Sequence, residues 1–367
     1  MDSETRLYRL DHLRLMAATM VIIWHFSSSL VGPSNGWFSI IQQGYTGVSL
    51  FCVISGFIFT WIYLDRTLSV KEFFINRALR LLPMFFLVLI LAFYSAPGSD
   101  ALKILGTITT TLFTYTSLPT FSNVGWTILV EAQFYVMFPL LIPSIRKYGV
   151  PYLVGLVIIF VVLRGMLWIN QGHVRETSYL SIGGRIDQFG LGALAAYIFC
   201  RVSFNRLARC AQTIVTFASI IALLLAFSKF MASGGMSSET SPNDPVWIYM
   251  PTIEGLAYAS LLLAYLSMPP VPGRIASLIE RVFRHGGRVS YSMYLIHVLV
   301  IGVILQLLIY LDIKFMNWTY SAMFALVVVT PTVVIISTFT FFAIEKPAMD
   351  LRRPRSSLSL SSPAERG

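Results

Sequence analysis

Two residues near the amino terminus have types and a spacing that suit chemistry inside a membrane. Arg14 and His25 are eleven residues apart, and eleven steps of about 100° make roughly three turns plus 20° of an α-helix. Both side chains therefore point to one side of such a helix, about 16 Å apart along its axis. If the helix enters a membrane from the cytosol, Arg14 lies at the cytoplasmic boundary and His25 near the bilayer middle, and the pair lines a slot. The spacing agrees equally well with an arginine extended toward the interface and a histidine bonded to a neighbouring helix.

Six further ionisable residues lie in or beside the most apolar stretches of the chain. Ionisable side chains inside a membrane are costly, so each indicates a functional role. Polar contacts that hold neighbouring helices together would explain a few of them. Together with Arg14 and His25 they are more numerous than packing requires, so we predict a polar cavity inside a bundle of helices. The six are Glu131, Arg164, Arg185, Asp187, Glu254 and His297.

The composition identifies the elements that must position these residues. Of 367 residues, 56% are hydrophobic and 12% are charged, whereas a soluble domain is about 25% charged. Apolar runs recur at about the 20 residues needed to cross a ~30 Å hydrocarbon core. The sequence therefore predicts an all-α, polytopic integral membrane protein with about ten transmembrane helices. Their predicted positions are 13–31, 45–64, 81–96, 125–143, 149–169, 181–200, 211–231, 247–268, 289–311 and 317–343.

The distribution of positive charge predicts the orientation. The net charge is +10. With a cytoplasmic amino terminus and ten spans, 21 of the 27 basic residues fall on the cytoplasmic side and three on the outer side, as the positive-inside rule requires. Counting the Thr-rich stretch 102–121 as an eleventh span would spoil this distribution, so we interpret it as re-entrant or interfacial. Both termini are expected in the cytoplasm.

Orientation in the membrane explains the excess of basic residues, so no nucleic-acid partner is needed to account for it. No nucleic-acid-binding motif is visible in the sequence.

The first apolar run has full spanning length with no cleavage site after it, so no removable signal peptide is expected. Cys52, Cys200 and Cys210 are odd in number and predict neither a disulfide framework nor a metal site. Residues 1–350 are expected to form one membrane-embedded domain. Residues 351–367, rich in Ser, Arg and Pro, are expected to form a disordered cytoplasmic tail.

Six short segments resemble, in order, the motifs of the membrane-bound acyltransferase-3 family, bacterial enzymes that O-acylate extracytoplasmic glycans. The first is Arg14-x10-His25, and the segment from Arg77 is similar to the family's R-x-x-R motif. The segment from Trp126 resembles W-x-L-x-x-E-x-x-F-Y, with Ile128 where the family has Leu. Each motif is weak alone, but six in the family's order over residues 6–350 are specific. The other three are Gly47–Phe57, Ser290–His297 and Glu345–Pro347.

The resemblance implies an O-acyltransferase of the bacterial inner membrane, surrounded by membrane lipids. Its donor would be cytosolic acyl-CoA, most often acetyl-CoA, as a co-substrate, with no permanently bound cofactor and no metal. Its acceptor would be a hydroxyl of an extracytoplasmic glycan or lipid-linked saccharide, such as exopolysaccharide, O-antigen or lipo-oligosaccharide. Some family members carry an additional extracytoplasmic esterase-like domain. No outer loop of this chain is long enough for one, so a stand-alone membrane enzyme is expected.

Arg77 and Arg80 are the residues that the resemblance associates with the donor. Acyl-CoA carries several phosphate charges, and arginine suits bidentate phosphate contacts. The two arginines lie in a predicted inner loop and, if that segment is helical, share one face at i and i+3. Topology alone would make them ordinary cytoplasmic charges, and the resemblance favours donor binding. The acyl-pantetheine arm would then pass Arg14.

The resemblance assigns catalysis to His25, with Arg14 and Glu131 completing the catalytic set. The imidazole would take the proton of a sugar hydroxyl as that hydroxyl attacks the thioester, or would carry the acyl group itself. The sequence leaves both routes open. Glu131 and Tyr135 share a helix face at i and i+4; the carboxylate would orient the histidine or accept from sugar hydroxyls, and Tyr135 would contact the substrate. The alternative role of Glu131 is a hydrogen bond to a neighbouring helix.

His297 belongs to a helical stripe with Ser290 and Tyr294. This stripe makes His297 either a second cavity residue, which would bind substrate, or a hydrogen-bonded histidine of the core.

Arg185 and Asp187 open the sixth predicted span from the outer side, where a glycan would arrive, and both are predicted to bind it. They cannot share a helix face at i and i+2, so their roles should differ. Arg164 and Glu254 have no predicted role beyond a structural ion pair.

Two other functions also place charged residues at mid-membrane. A secondary transporter usually shows inverted repeats with interrupted helices, which are not visible in this sequence. A glycan exporter or polymerase without acyl chemistry would explain a glycan link but not the motif at Arg77 and Arg80.

Overall fold

The chain folds into a bundle of helices, seen in a computed structural model. The structure describes residues 3–31, 37–95, 125–201, 243–267 and 273–352, with isolated helical positions between 211 and 221. Within these ranges there are helices and connecting turns but no β-strand. The helices are α1 (Ser3–Ser28), α2 (Gly47–Tyr63), α3 (Val70–Ser95), α4 (Gly125–Tyr148), α5 (Val150–Gln171), α6 (Arg175–Leu180), α7 (Ile182–Arg201), α8 (Met250–Ser267), α9 (Arg274–Arg288), α10 (Ser290–Tyr310) and α11 (Trp318–Asp350).

Six of these helices are long and apolar enough to cross a membrane, namely α2 with the residues just before it, α3, α4, α5, α10 and α11. The protein is therefore an all-α polytopic membrane protein, as predicted. Nine of the ten predicted spans coincide with a helix of the structure. The span predicted at 211–231 falls outside the described ranges except for its isolated positions, and 102–121 lies wholly outside them. The total of ten spans and the cytoplasmic termini remain predictions.

Helix α5 shows how local sequence sets the bounds of a span. Gly149, with φ +60°, separates it from α4, and Pro151 occupies its first turn, where a missing N–H costs nothing. Gly172, with φ +74°, ends the helix and donates its N–H to the carbonyl of Trp168 at 2.8 Å. Glycine takes this left-handed conformation without the strain that a Cβ would add.

Two helices begin earlier than predicted, and the difference changes where functional residues lie. Helix α3 starts at Val70 rather than near residue 81, so Arg77 and Arg80 belong to a helix and not to a loop. Helix α1 starts at Ser3 and ends at Ser28, which puts His25 in its last turn. The position of His25 near the bilayer middle stays a prediction. Hydropathy could not show these extensions because their polar residues continue the helix beyond its apolar part.

Helices α2 and α7 approach each other more closely than side chains would allow. A Cβ on Gly56 of α2 would lie 2.0 Å from the carbonyl oxygen of Phe189 in α7, and a Cβ on Gly192 of α7 would lie 2.1 Å from that of Val53 in α2. Small residues let two membrane helices bring their backbones together in this way. The paired glycines hold α2, which carries much of the cavity described below, tightly against α7.

We expect Gly56→Ala to destabilise the protein, because its new methyl group would collide with backbone that cannot turn aside. Overpacking a core typically costs about 1–3 kcal/mol. The matched control is Gly155→Ala in α5, where nothing lies within 4 Å of the added Cβ. The thermal midpoint of the detergent-purified chain should fall for Gly56→Ala and not for Gly155→Ala. Equal midpoints for the two variants would contradict the close approach.

The last helix, α11, is not a uniform α-helix. It contains two π-helical stretches, Ala325–Val329 and Phe341–Glu345. A π-helical turn contains more residues than an α-helical one, so the stretch at Phe341–Glu345 changes the direction in which the residues after it point. Glu345 closes that stretch and is 1% exposed.

Candidate active site

A cavity lies between α1, α2, α3, α4, α7 and α10, with about 810 Å³ of space outside protein atoms, open solvent at its mouth included. It brings together five of the residues that the sequence selected: Arg14, Arg77, Arg80, Glu131 and Tyr135. The polar cavity predicted inside the bundle is therefore present. Its remaining lining is mostly apolar and aromatic, and comes largely from α2 and α10: Val48, Phe51, Cys52, Ile54, Ser55, Ile58, Phe59, Leu81, Thr127, Ile128, Phe189, Ser290, Tyr291 and Tyr294.

Three arginines from two helices line the cavity, and each is partly exposed. Arg14 of α1 forms an ion pair with Asp11 at 2.8 Å, one turn earlier in the same helix. Arg77 of α3 lies over the ring of Phe59 at 5.0 Å from its centroid, a contact that weakly hydrated guanidinium groups favour. Arg80 follows Arg77 by three residues, so both point to one side of α3. The cluster concentrates positive charge in a space large enough for a ligand.

Glu131 and Tyr135 form one hydrogen-bonded unit on α4. The Tyr135 hydroxyl donates to the Glu131 carboxylate, and the hydroxyl of Ser55 in α2 donates to the same oxygen at 3.1 Å. Within the described part of the chain, no contact joins Glu131 to His25. The proposed orientation of His25 by Glu131 therefore has no contact to support it, and the carboxylate belongs with the arginines.

Glu345 is a polar residue of this region that the sequence analysis did not select as a site residue. It accepts a hydrogen bond at 2.8 Å from Ser292 in α10 and interacts electrostatically with Arg80 and Arg14. It lies in the Glu345–Pro347 motif, which was the available signal. Helical periodicity could not place it, because the π-helical stretch before it breaks the 3.6-residue repeat.

His25 and His297 pack against each other, with ring centroids 5.0 Å apart. His297 is fully buried, and its Nδ1 lies 2.7 Å from the carbonyl oxygen of Tyr294. Since a carbonyl only accepts, Nδ1 carries the proton and Nε2 of the neutral ring keeps its lone pair. Nε2 has no hydrogen-bond partner among the described residues. A buried acceptor is thus held beside the His25 imidazole.

The two histidines lie outside the arginine-lined cavity, next to Tyr294. Neither histidine is among the described residues that line the cavity. Tyr294 does line it, and its ring centroid lies 5.6 Å from that of His297. Tyr294 is therefore the contact between the arginine-lined cavity and the histidine pair. Arg14 and His25 share one side of α1, so a ligand running from one to the other would follow this helix for about 16 Å.

Asp187 lies in a buried ion pair away from the cavity. Its carboxylate is 2.8 Å from the guanidinium of Arg164, and the two side chains are 0% and 1% exposed. The hydroxyl of Thr252 and the backbone N–H of Gln188 also donate to Asp187, at 2.5 and 2.9 Å. Arg164 thus has a structural ion pair, but with Asp187 and not with Glu254, whose carboxylate accepts from Ser49 and Gln188. The carboxylate predicted to bind the acceptor is already fully engaged.

Arg185 points to different partners, as its spacing from Asp187 predicted. It donates at 2.8 Å to the carbonyl of Tyr179, at 2.7 Å to Ser49 and at 3.0 Å to Gln188. Ser49 in turn donates to Glu254. The guanidinium also lies 4.0 Å from the ring centroid of Tyr179. Arg185 therefore ties α7 to α2 and α8, and it does not line the cavity.

Replacing Arg164 with methionine should strongly destabilise the protein, since Asp187 would keep a buried charge without its counterion. Such a loss typically costs about 3–5 kcal/mol. The control is Arg201→Met, which breaks an ion pair with Asp65 whose side chains are 51% and 62% exposed and should cost about 0–1 kcal/mol. Thermal unfolding in detergent compares the two variants. A loss for Arg164→Met no larger than for Arg201→Met would contradict the importance of the buried pair.

No cluster of three or more metal-ligating side chains occurs in the ranges that the structure describes. Cys52 is buried and lines the cavity, Cys200 is exposed, and Cys210 lies outside those ranges.

The structure defines a polytopic membrane protein with a polar cavity, and sequence comparison identifies the family. The profile of the family described as "Acyltransferase domain" matches residues 7–339. The chain therefore belongs to the acyltransferase-3 family, which confirms the resemblance drawn from its motifs. No solved structure matches the chain.

Proteins of three bacterial species are similar to this chain in sequence. The peptidoglycan O-acetyltransferase OatA of Listeria monocytogenes is 25% identical over 329 residues, covering 78% of this chain and 48% of that protein. Nodulation protein 10 of Rhizobium leguminosarum bv. viciae is 31% identical over 228 residues, covering 53% and 60%. The O-acetyltransferase OatA of Staphylococcus aureus strain NCTC 8325 is 24% identical over 323 residues, covering 81% and 51%. The chain thus spans about half the length of these relatives.

Proposed function

We propose that the protein transfers an acyl group, most simply acetyl, from cytosolic acyl-CoA to a hydroxyl of an extracytoplasmic or lipid-linked glycan. We place it in the bacterial inner membrane. The observation that carries this proposal is the cavity where Arg14, Arg77 and Arg80 meet, beside a helix that leads to His25. The names of the two O-acetyltransferase relatives support acetyl transfer, and the name of the Listeria protein includes a glycan, peptidoglycan.

The arginine cluster suits the charged end of the donor. The phosphates of acyl-CoA would replace water around Arg77 and Arg80, since a guanidinium offers several N–H donors in a planar fork. Asp11 positions Arg14 through its ion pair. Glu131 and Glu345 supply negative charge near the cluster, which keeps it from binding anions too firmly to release them.

The apolar part of the cavity suits the acyl-pantetheine arm. Aromatic and aliphatic side chains of α2 and α10 continue from the arginines toward Tyr294, and Tyr294 contacts His297. An arm laid along α1 would carry its thioester toward His25. Only the acyl group would then need to reach the acceptor, and the charged part of the donor would stay with the arginines.

His25 would catalyse acyl transfer by one of two routes. As a general base, it takes the hydroxyl proton while the sugar oxygen bonds to the thioester carbon; the C–S bond breaks, and the CoA thiolate recovers the proton. As an acyl carrier, its nitrogen attacks the thioester carbon, the C–S bond breaks, and the departing CoA thiolate takes the ring proton. The sugar oxygen then attacks the acyl-imidazole, the C–N bond breaks, and the released imidazole nitrogen takes the hydroxyl proton. The unpartnered Nε2 of His297 would hold the His25 ring or accept from the incoming hydroxyl.

The acceptor is expected to approach the histidine pair from the end of α1 that carries His25. Of the residues predicted to bind it, His297 lies at that place. Tyr135 lies on the donor side with Glu131. Arg185 and Asp187 satisfy their polar groups mainly within the protein, so we propose that they shape the acceptor side rather than contact the sugar.

The proposal is tested with the purified full chain in lipid vesicles, supplied with acetyl-CoA and a candidate glycan. Free thiol released from CoA should appear together with acetylated glycan. Movement of glycan across the vesicle membrane without thiol release would favour a transporter or exporter. Radiolabelled acetyl-CoA supplied without acceptor separates the two chemical routes, because only the acyl-carrier route leaves label on the protein.

Acyl-CoA should also shield Cys52 from alkylation, because the thiol lines the proposed donor cavity. In a chain that keeps Cys52 alone, CoA at ten times its Kd should slow the reaction with N-ethylmaleimide by about tenfold. Mass spectrometry of the alkylated peptide measures the rate. The control chain keeps only the exposed Cys200, whose rate should not change. Unshielded Cys52 would place the donor elsewhere.

A further inference from the structure

Helix α9 (Arg274–Arg288) carries an apolar face that the rest of the described protein leaves uncovered. Ile275, Leu278, Ile279 and Val282 are each more than half exposed. They follow the i, i+3, i+4, i+7 spacing of one helix face. The helix ends at Arg288, and the spanning helix α10 begins at Ser290. Because only Val289 separates them, α9 must lie at the membrane surface where α10 starts.

A row of arginines flanks this apolar face. Arg274, Arg281 and Arg288 are spaced by seven residues, almost two full turns, so they follow one side of the helix. All three are exposed. By the helical repeat, the row is about 110° around the axis from the apolar face. If the apolar face lies in the bilayer, the row is at the level of the lipid headgroups.

The C-terminal part of α9 is fixed to α1 through residues other than the arginine row, which stays exposed. A Cβ on Gly287 would lie 2.0 Å from the carbonyl oxygen of Asp11, and one on Gly286 would lie 2.7 Å from Leu15. Arg284, unlike the other three arginines of this helix, lies over the ring of Tyr8 at 3.6 Å. The C-terminal end of α9 is thus held against α1, whereas Ile275, Leu278, Ile279 and Val282, nearer the start of the helix, stay exposed.

We propose that α9 is a binding site for anionic phospholipids in the leaflet where α10 begins. The apolar face takes the acyl chains, and Arg274, Arg281 and Arg288 take the phosphates of the headgroups. Four arginines and one glutamate in fifteen residues favour acidic over zwitterionic lipids, since each cation near an anionic surface adds to binding. The apolar face selects a lipid over a soluble phosphate such as CoA, which has no acyl chains to cover it.

Lipid retention tests the arginine row. Full-length protein is incubated with phosphatidylglycerol or phosphatidylcholine, and bound lipids are counted by native mass spectrometry. The wild type should retain phosphatidylglycerol preferentially, and the triple variant Arg274→Gln, Arg281→Gln, Arg288→Gln should lose this preference by roughly tenfold or more. The matched control removes three charges outside α9: Arg66→Gln, Lys71→Gln and Arg201→Gln. Equal loss in both variants would overturn the site.

Depth in the bilayer tests the apolar face independently of any enzyme activity. Ile275→Cys and Ser277→Cys are made in a chain whose natural cysteines are replaced, labelled with a fluorophore and placed in phosphatidylglycerol vesicles containing lipids brominated on their acyl chains. The label at position 275 should be quenched, and the label at position 277, on the other side of the helix, should not. An unquenched label at 275, or equal quenching at both, would overturn the proposal. Neither measurement depends on acyl transfer.

Discussion

Replacing His25 with alanine is expected to abolish acyl transfer and to leave donor binding intact. A positioned proton acceptor contributes typically 10²–10⁴-fold to a rate, and an acyl carrier would contribute the whole reaction. His25 lies in the last turn of α1, far from the arginines that would hold the donor phosphates. Thiol release from acetyl-CoA in the presence of glycan should therefore fall by about 10²-fold or more, while CoA still shields Cys52.

The control for this prediction is His173→Ala, which removes an exposed histidine outside the site. It should keep the wild-type rate. His25→Gln serves as a second variant, because it keeps an amide near the position of the ring nitrogens and separates loss of chemistry from loss of fold. A rate for His25→Ala within about threefold of wild type would remove His25 from the mechanism, since even weak general-base catalysis exceeds that factor.

Arg77→Gln and Arg80→Gln are expected to raise the KM for acetyl-CoA with a smaller effect on kcat. A lost hydrogen bond to a charged group costs about 1.5–3 kcal/mol, which corresponds to roughly 10-fold to 150-fold in apparent affinity. Because both guanidinium groups are partly exposed to water, we expect the loss of apparent affinity to be near the lower end of this range. The control is Lys71→Gln, an exposed cation on the same helix that does not line the cavity.

A shortened donor makes this prediction specific to the phosphates. S-acetyl-pantetheine keeps the thioester and the arm but lacks every phosphate. Wild-type enzyme should use it poorly, and Arg77→Gln and Arg80→Gln should use it as well as the wild type does. If the arginine variants lose as much with acetyl-pantetheine as with acetyl-CoA, the two residues support the fold and do not bind the donor.

The sequence predicted the helices well because a membrane imposes a simple rule of length and hydropathy. Its errors came where polar residues continue a helix past its apolar part, as at Val70 and Ser3. The early start of α3 places Arg77 in a helix where a loop was predicted.

The candidate site was predicted in part. Arg14, Arg77 and Arg80 lie in one cavity. The sequence could select all three because motif order and helix faces are visible in a sequence. Contacts between distant helices are not visible there. Nothing in the spacing shows that Asp187 pairs with Arg164, and nothing links Glu345 to Ser292.

The π-helical stretch at Phe341–Glu345 affects how related sequences should be aligned in this helix. A π-helical turn closes its hydrogen bond over one residue more than an α-helical turn does, so it holds the equivalent of one extra codon. Deleting one codon between residues 341 and 345 would leave an unbroken helix but rotate everything after it by about 100°. Alignments of acyltransferase-3 sequences should therefore permit a one-residue gap here, so that Glu345 stays aligned with residues that contact the helix carrying Ser292.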